Sequence, residues 1–304
     1  MRQPGDDVLG VDVGGTTIKA VRVDPAGRVV REHRAPTPAP DPTGERVADA
    51  VAAVAARLGA PTGPDAPDAP PLAVGVVVPG VVDEPAGTAV WSVNLGWRDV
   101  PLRQLLADRL AGPVVLGHDV RAGALAEART GAARDEAGTV AFVPVGTGVS
   151  AALVVEGRPV VSGGWAGEIG QRVLVHGPFA GLRAEEVASA AATARRAGAP
   201  DARTVADRVA AGDPAARAVW ADTVEALADA VTDLVVAVSP GTVVVGGGLV
   251  LAGDLLLIPL AAALVRRTVG LRAPRLVAAR HGDAAAALGA AMLARDAGRI
   301  ATPR

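Results

Sequence analysis

The sequence predicts an α/β protein of two domains, and three observations carry that expectation. An apolar strand, a glycine turn and a second strand occur near the start, in the stretch Leu9–Lys19, and the same pattern returns at Thr139–Val155 around Gly146-Thr147-Gly148. That repeat is what a duplicated fold shows. Short β-branched runs of the buried type, at Leu72–Val78, Pro113–Gly117 and Thr242–Val245, alternate with stretches of helical periodicity. At 304 residues, half of them hydrophobic, the chain is long enough to build two cores.

In chain order, Val8, Leu9, Val11 and Val13 form the first strand, and Gly14-Gly15 is read as a tight turn that permits positive φ. Such a turn aims backbone N–H groups at one point, where an anion fits and a Cβ would intrude. Thr16, Thr17 and Lys19 add hydroxyl and ammonium donors; Asp12 is a candidate Mg²⁺ holder, directly or through water. An ordinary hairpin satisfies these residues equally well. Lys19 is the only lysine in the chain, which gives its place beside this turn more weight. Arg28–Arg34 reads as a third strand and Gly44–Leu58 as a helix with Val47, Val51 and Val54 on one face; Ala60–Pro71 is a Pro-rich surface loop. After Leu72–Val78 comes the turn Pro79-Gly80. Asp99–Leu110 reads as a helix capped at Asp99, with Pro101 at an early position.

The strand Pro113–Gly117 delivers His118-Asp119 to its C-terminal end, before a helix at Ala122–Arg129. Strand ends of this kind gather ligand groups in α/β sheets, although an Asp there also serves as a helix cap. Beyond the second hairpin, Ala184–Ala197, Ala202–Ala211 and Pro214–Val238 read as helices. Gly246-Gly247-Gly248 ends a buried strand where backbone can approach a nucleoside, Arg275–Ala279 is a last strand, and Asp283–Arg295 is a terminal helix packed on the first domain.

The string D-V-G-G-T-T-I-K at Asp12–Lys19 resembles the phosphate-1 element of the sugar kinase, actin and chaperone ATPase superfamily, and especially the opening of the ROK family of bacterial sugar kinases and repressors. Further along, Gly75–Asp83 resembles that family's sugar-side turn and Val93–Trp97 its N-L-x-W element. L-G-H-D-V-R-A-G-A-L-A-E resembles its catalytic segment, and Gly163–Gln171 its A-G-E-I-G-H string. The resemblance covers nearly the whole chain. It implies a two-domain actin-like (ribonuclease H-like) ATPase fold closing over a cleft, with domains at 1–118 plus 284–304 and at 119–283. It implies ATP-dependent phosphorylation of a hexose or sugar-like polyol, glucose first, with ATP and Mg²⁺ as cofactors and Asp119 as general base. The nucleotide would meet Asp12, Gly14, Gly15, Thr16, Thr17 and Lys19, then Gly146, Thr147 and Gly148, then Gly246, Gly247 and Gly248. The sugar would meet Gly80, Asn94, His118, Asp119, Glu168, Gln171 and Glu185, with Glu186 as the competitor for the last place.

Two departures stand out. His118 replaces the family's Asn, and Gln171 replaces a His that ligates a structural zinc; the accompanying C-x-C-G-x-x-G-C-L-E loop is absent, as is every cysteine, and His176 stands alone. A zinc site is therefore not expected. A sugar sensor without catalysis, or a kinase for an amino sugar or cyclitol, remain the alternatives. A net charge of −2 and a pI near 6.1 argue against nucleic acid as the main partner. No apolar leader precedes Val8, and the run Val243–Val265 is broken by the triple glycine, Asp254 and Pro259, so a cytoplasmic protein without membrane association is expected, compatible with a homodimer.

Overall fold

A computed structural model describes residues 7–60 and 71–300; the Pro-rich loop falls almost wholly outside them. The chain divides into two compact units. Unit 1 contains the chain up to Ala126, Val161–Trp165, and the chain from Ala284 on; unit 2 contains Glu127–Val160 and Ala166–Asp283. The division after Ala126 falls inside a helix, whose Ala122 packs against Val77 and Ala290 of unit 1.

Unit 1 begins with β1 (Val8–Val13), β2 (Thr17–Val23), β3 (Val29–Pro36), α1 (Glu45–Arg57) and β4 (Ala73–Val78). It continues with β5 (Val81–Asp83), β6 (Thr88–Ser92), β7 (Trp97–Val100), α2 (Leu102–Ala107), β8 (Val114–His118) and α3 (Asp119–Arg129). The main sheet has the order β3-β2-β1-β4-β8, with β1, β4 and β8 parallel. Every residue of β1 is buried, since Leu9, Val11 and Val13 face a core shared with α1 while Val8 packs on the opposite side. The small antiparallel sheet β5-β6-β7 was not legible in the sequence. It takes the first part of the expected Asp99–Leu110 helix. Asp99 lies in β7 with φ 52°, and Pro101 occupies the cap position of α2 without a side-chain cap.

Unit 2 holds β9 (Val140–Pro144), β10 (Ala152–Val155), β11 (Arg158–Pro159), α4 (Ala184–Ala188), α5 (Ala190–Arg196), α6 (Ala202–Ala210) and α7 (Pro214–Val238). After these come β12 (Thr242–Gly246), α8 (Asp254–Arg267) and β13 (Arg275–Ala278). Its sheet order, β11-β10-β9-β12-β13, reproduces unit 1 position for position, with β9, β12 and β13 parallel. The repeated hairpin is thus the visible part of a repeated sheet. Within it, α7 starts where Asp213 accepts the N–H groups of Ala215 and Ala216 ahead of Pro214, and it buries Trp220, Val224, Leu227 and Val231. The expected single helix Ala184–Ala197 is two, because Ser189 is extended and caps α5 by accepting the N–H of Ala192.

The chain ends in unit 1 with α9 (Ala285–Ile300), laid on β1 and β4. Its approach is closer than side chains allow: a Cβ on Gly10 or Gly75 would stand 1.9 Å from the carbonyl oxygen of Ala287 or Ala290. Among the described residues no helix is long and apolar enough to cross a membrane.

Candidate active site

In unit 1 the parallel strands β1, β4 and β8 end side by side, Asp12 pairing with Val77 and Val78 with His118. The carboxyl ends of these strands therefore bring together Asp12, the Pro79-Gly80 turn and His118-Asp119, the place where open α/β sheets bind ligands. Asp12 is 7% exposed; its neighbour across the β1–β2 hairpin is Lys19, with Nζ 3.7 Å from Oδ2. Gly14 and Gly15 do not adopt the positive φ expected of them. Glycine eases crowding there, since a Cβ would come within 3.1 Å of the Thr17 oxygen at Gly14 and 3.2 Å of the Asn94 Cβ at Gly15. Gly14 also donates its N–H to Thr17 O, and Thr37 braces the turn by donating to Gly14 O and Thr16 O. The Gly14 N–H is thus spent within the turn. The Gly15–Asn94 approach seats Asn94 against this turn.

Asp119 opens α3. Its Oδ1 accepts the N–H of Val120 at 2.7 Å and lies 3.4 Å from His118 Nε2. About a quarter of the side chain is open (26%), yet burial pushes the carboxyl up to about 6, against the opposing pull of the Val120 N–H and of the charges on Arg121 and Lys19. His118 is 7% exposed, and burial, helped by Arg121, holds it down at about 3, so the imidazole is neutral. The Arg121 N–H points at Nδ1 from 3.5 Å, which leaves the ring proton on Nε2, toward Asp119. Arg121 was not singled out from the sequence, although an Arg in an alanine-rich helix is a signal. It is 3% exposed, with Nε donating to Glu84 Oε1 at 2.8 Å and Nη2 ion-paired to the same oxygen.

Unit 2 assembles the second set. Gly146 donates to Gly148 O as Gly14 does to Thr17 O, and its own carbonyl accepts the N–H of Ala190 at the start of α5. Val145 is bonded to both Gly246 and Leu249, so the second hairpin and the triple glycine adjoin. Gly247 has φ 76°, and a Cβ on it would be 2.4 Å from Val145 O. Against Gly146 and Thr147 lies a cavity of about 490 Å³ bordered by Ala194, Arg195 and Asp201. A second, of about 380 Å³, runs from Gly248 between Leu251 and Leu255 on one side and Arg203, Ala206 and Asp207 of α6 on the other. The α6 wall was missed because Ala202–Ala211 reads as a plain amphipathic helix. After the triple glycine the chain makes a 3₁₀ turn, Gly248–Ala252, before α8 begins.

Gln171 donates Nε2 to Glu185 Oε1 at 2.9 Å and accepts Arg183 Nη1 at 2.9 Å, while Arg183 also pairs with Glu185 and Glu186. Glu186 is occupied by Arg183, which reaches it from both its backbone N–H and its side chain. Glu185 instead stands beside the second hairpin, where a Cβ on Gly148 would be 3.1 Å from its Oε2.

Residues 8–297 match the ROK family as a unit. The chain belongs to the ROK family. This ROK chain is 29% identical to a glucokinase of Streptomyces coelicolor, over 95% of its own length and 97% of the relative's. Among solved structures, a ROK hexokinase from Thermus thermophilus is 32% identical, with TM-score 0.80 over 97% of this chain and 99% of that one. A ROK glucokinase from Streptomyces griseus, solved with glucose and AMPPNP, is 28% identical, with TM-score 0.77 over 95% and 99%. The ROK chain has the two-domain actin-like ATPase fold and is an ATP-dependent sugar kinase.

Proposed function

We propose that the protein phosphorylates a hydroxyl of a hexose, glucose first, with Asp119 as general base. The observation that carries this is the Asp119 carboxyl at the end of β8, pushed up to about 6 and partly open, in the same unit as the Asp12–Lys19 turn. Asp119 Oδ2 takes the proton of the attacking hydroxyl as its oxygen bonds to the γ-phosphorus and the bond to the ADP oxygen breaks. His118, neutral and donating, keeps Oδ1 occupied and turned inward. In unit 1, Lys19 and the N–H groups of Gly15 and Thr16 are the donors suited to phosphate oxygens; in unit 2, Thr147 and Gly148 are. Asp12 is the carboxylate suited to Mg²⁺, which when bound neutralises charge on the β- and γ-phosphates. Leu251, Leu255 and Ala206 supply apolar walls for the nucleoside.

A screen of ADP release across glucose, other hexoses, amino sugars and cyclitols tests this reading. A sugar that binds without any turnover of ATP would replace the kinase with a sensor. Because the motif resemblance places His118 and Gln171 among the sugar contacts, the screen also asks whether glucose keeps first place.

The residues around Gln171 do not fit zinc. An amide is a poor ligand for it, Gln171 and Glu185 are engaged with each other and with Arg183, and among the described residues no group of three His, Cys, Asp or Glu side chains is placed to hold a metal. Purified protein is expected to contain no stoichiometric zinc and to keep its melting temperature in a strong chelator. Equimolar zinc by elemental analysis would contradict this.

A further inference from the structure

We infer that Trp165 is an aromatic platform on which the sugar ring stacks beside Asp119, an inference that rests on the kinase reading and narrows its substrate class. Aromatic side chains are scarce here: four Trp, two Phe and no Tyr. Trp97 and Trp220 are buried, and their indole N–H groups donate to Asp41 O and Leu255 O. Trp165 is 58% exposed, and among the described residues its indole N–H has no partner.

The backbone that presents it is built at some cost. Ser162, Gly163 and Gly164 are three successive residues with positive φ, at 45°, 63° and 91°, and for Ser162 that region is strained. Gly164 is pressed onto β5, where a Cβ would lie 2.7 Å from Val82 O. Its carbonyl accepts Arg121 Nη1 at 3.4 Å. Arg121 is buried in the first turn of α3, two residues after Asp119, and is fixed by Glu84 and by its N–H to His118. A buried arginine thus ties the segment ending in Trp165 to the helix that begins with the proposed base. A flat apolar surface on a segment tied to the helix of the proposed base suits a pyranose, whose ring faces carry C–H groups that meet the negative face of an indole. Stacking of this kind favours a ring face that carries no axial hydroxyl, because an axial hydroxyl on the stacked face would be pressed against the indole without a partner.

Trp165→Ala and Trp165→Phe, assayed for ADP release with glucose and titrated with glucose by tryptophan fluorescence, test the platform. In the wild type, glucose changes the emission; in Trp165→Phe, which keeps an aromatic face and the fold, that change is lost. Trp165→Ala should raise the sugar KM by about 10-fold or more, a typical loss for one stacking face, with kcat and the ATP KM within about twofold, and Trp165→Phe should recover most of it. A wild type that turns over glucose, with an unchanged sugar KM in Trp165→Ala, overturns the platform and leaves the kinase standing. A wild type without turnover whose emission change disappears in Trp165→Phe keeps the platform and removes the kinase. Neither turnover nor an emission change with any sugar removes both.

Discussion

Asp119→Asn leaves glucose binding nearly intact and lowers kcat by about 10²- to 10⁴-fold, the range lost when a general base is removed. The amide keeps the shape of the carboxylate and can still accept the Val120 N–H at Oδ1, so the start of α3 is unchanged. It cannot take a proton. The wild-type pH profile follows from the same carboxyl. With the group at about 6, only the ionised fraction works as a base, so kcat/KM should fall roughly tenfold per pH unit below that value and level off above it. Stability runs the other way for this residue. A folded value above the unfolded 3.8 means that the fold favours the protonated form, so Asp119 costs stability increasingly from pH 3.8 to about 6 and constantly above. His118 has the opposite sign: its folded value of about 3 lies below 6.5, so its contribution is complete above pH 6.5 and is lost as pH falls toward 3. Calorimetry for binding and coupled ADP release for turnover check the substitution. Wild-type kcat in Asp119→Asn would reduce Asp119 to a helix cap.

What the sequence disclosed was whatever a local pattern writes down. The hairpin at Leu9–Lys19, its repeat at Gly146, the triple glycine and the 25-residue α7 are each contained in one contiguous stretch, and their order carried the family resemblance. Contacts between distant stretches were not written anywhere. The Arg121–Glu84–Gly164 bracket joins three segments far apart in the chain, and the Gln171–Arg183–Glu185 network depends on a loop that folds back on itself through the Val173–Arg183 bridge. The role of Gly14 and Gly15 was misread for the same reason. Positive φ is a local explanation for glycine, whereas the crowding at Gly15 comes from Asn94, a residue on another segment.

The largest effect on stability is expected from an equally distant contact, the seat of α9. Gly10 and Gly75 are register partners on β1 and β4, and a Cβ on either would lie 1.9 Å from a helix carbonyl oxygen, far inside the 3.4 Å at which ordinary contact begins. The obstructing atoms are backbone, so no side chain can swing aside and the helix itself must retreat. Gly75→Ala should therefore cost about 3 kcal/mol, at the upper end for overpacking, and lower the melting temperature on the order of 10 °C. Gly298→Ala, on the same helix but with nothing within 4 Å, is the control and should be neutral or slightly stabilising. The contact reaches the proposed base as well. Gly289 of α9 faces α3, where its Cβ would stand 1.9 Å from Ala122 O, three residues after Asp119. Gly289→Ala must push α3 away from α9, and a shift of about 1 Å in a reacting group can cost on the order of 10²-fold in rate. Gly289→Ala is thus expected to lose turnover at temperatures where it is still folded, while Gly75→Ala loses stability first. Equal turnover in folded Gly289→Ala and wild type would mean that α3 keeps Asp119 in place without its support from α9.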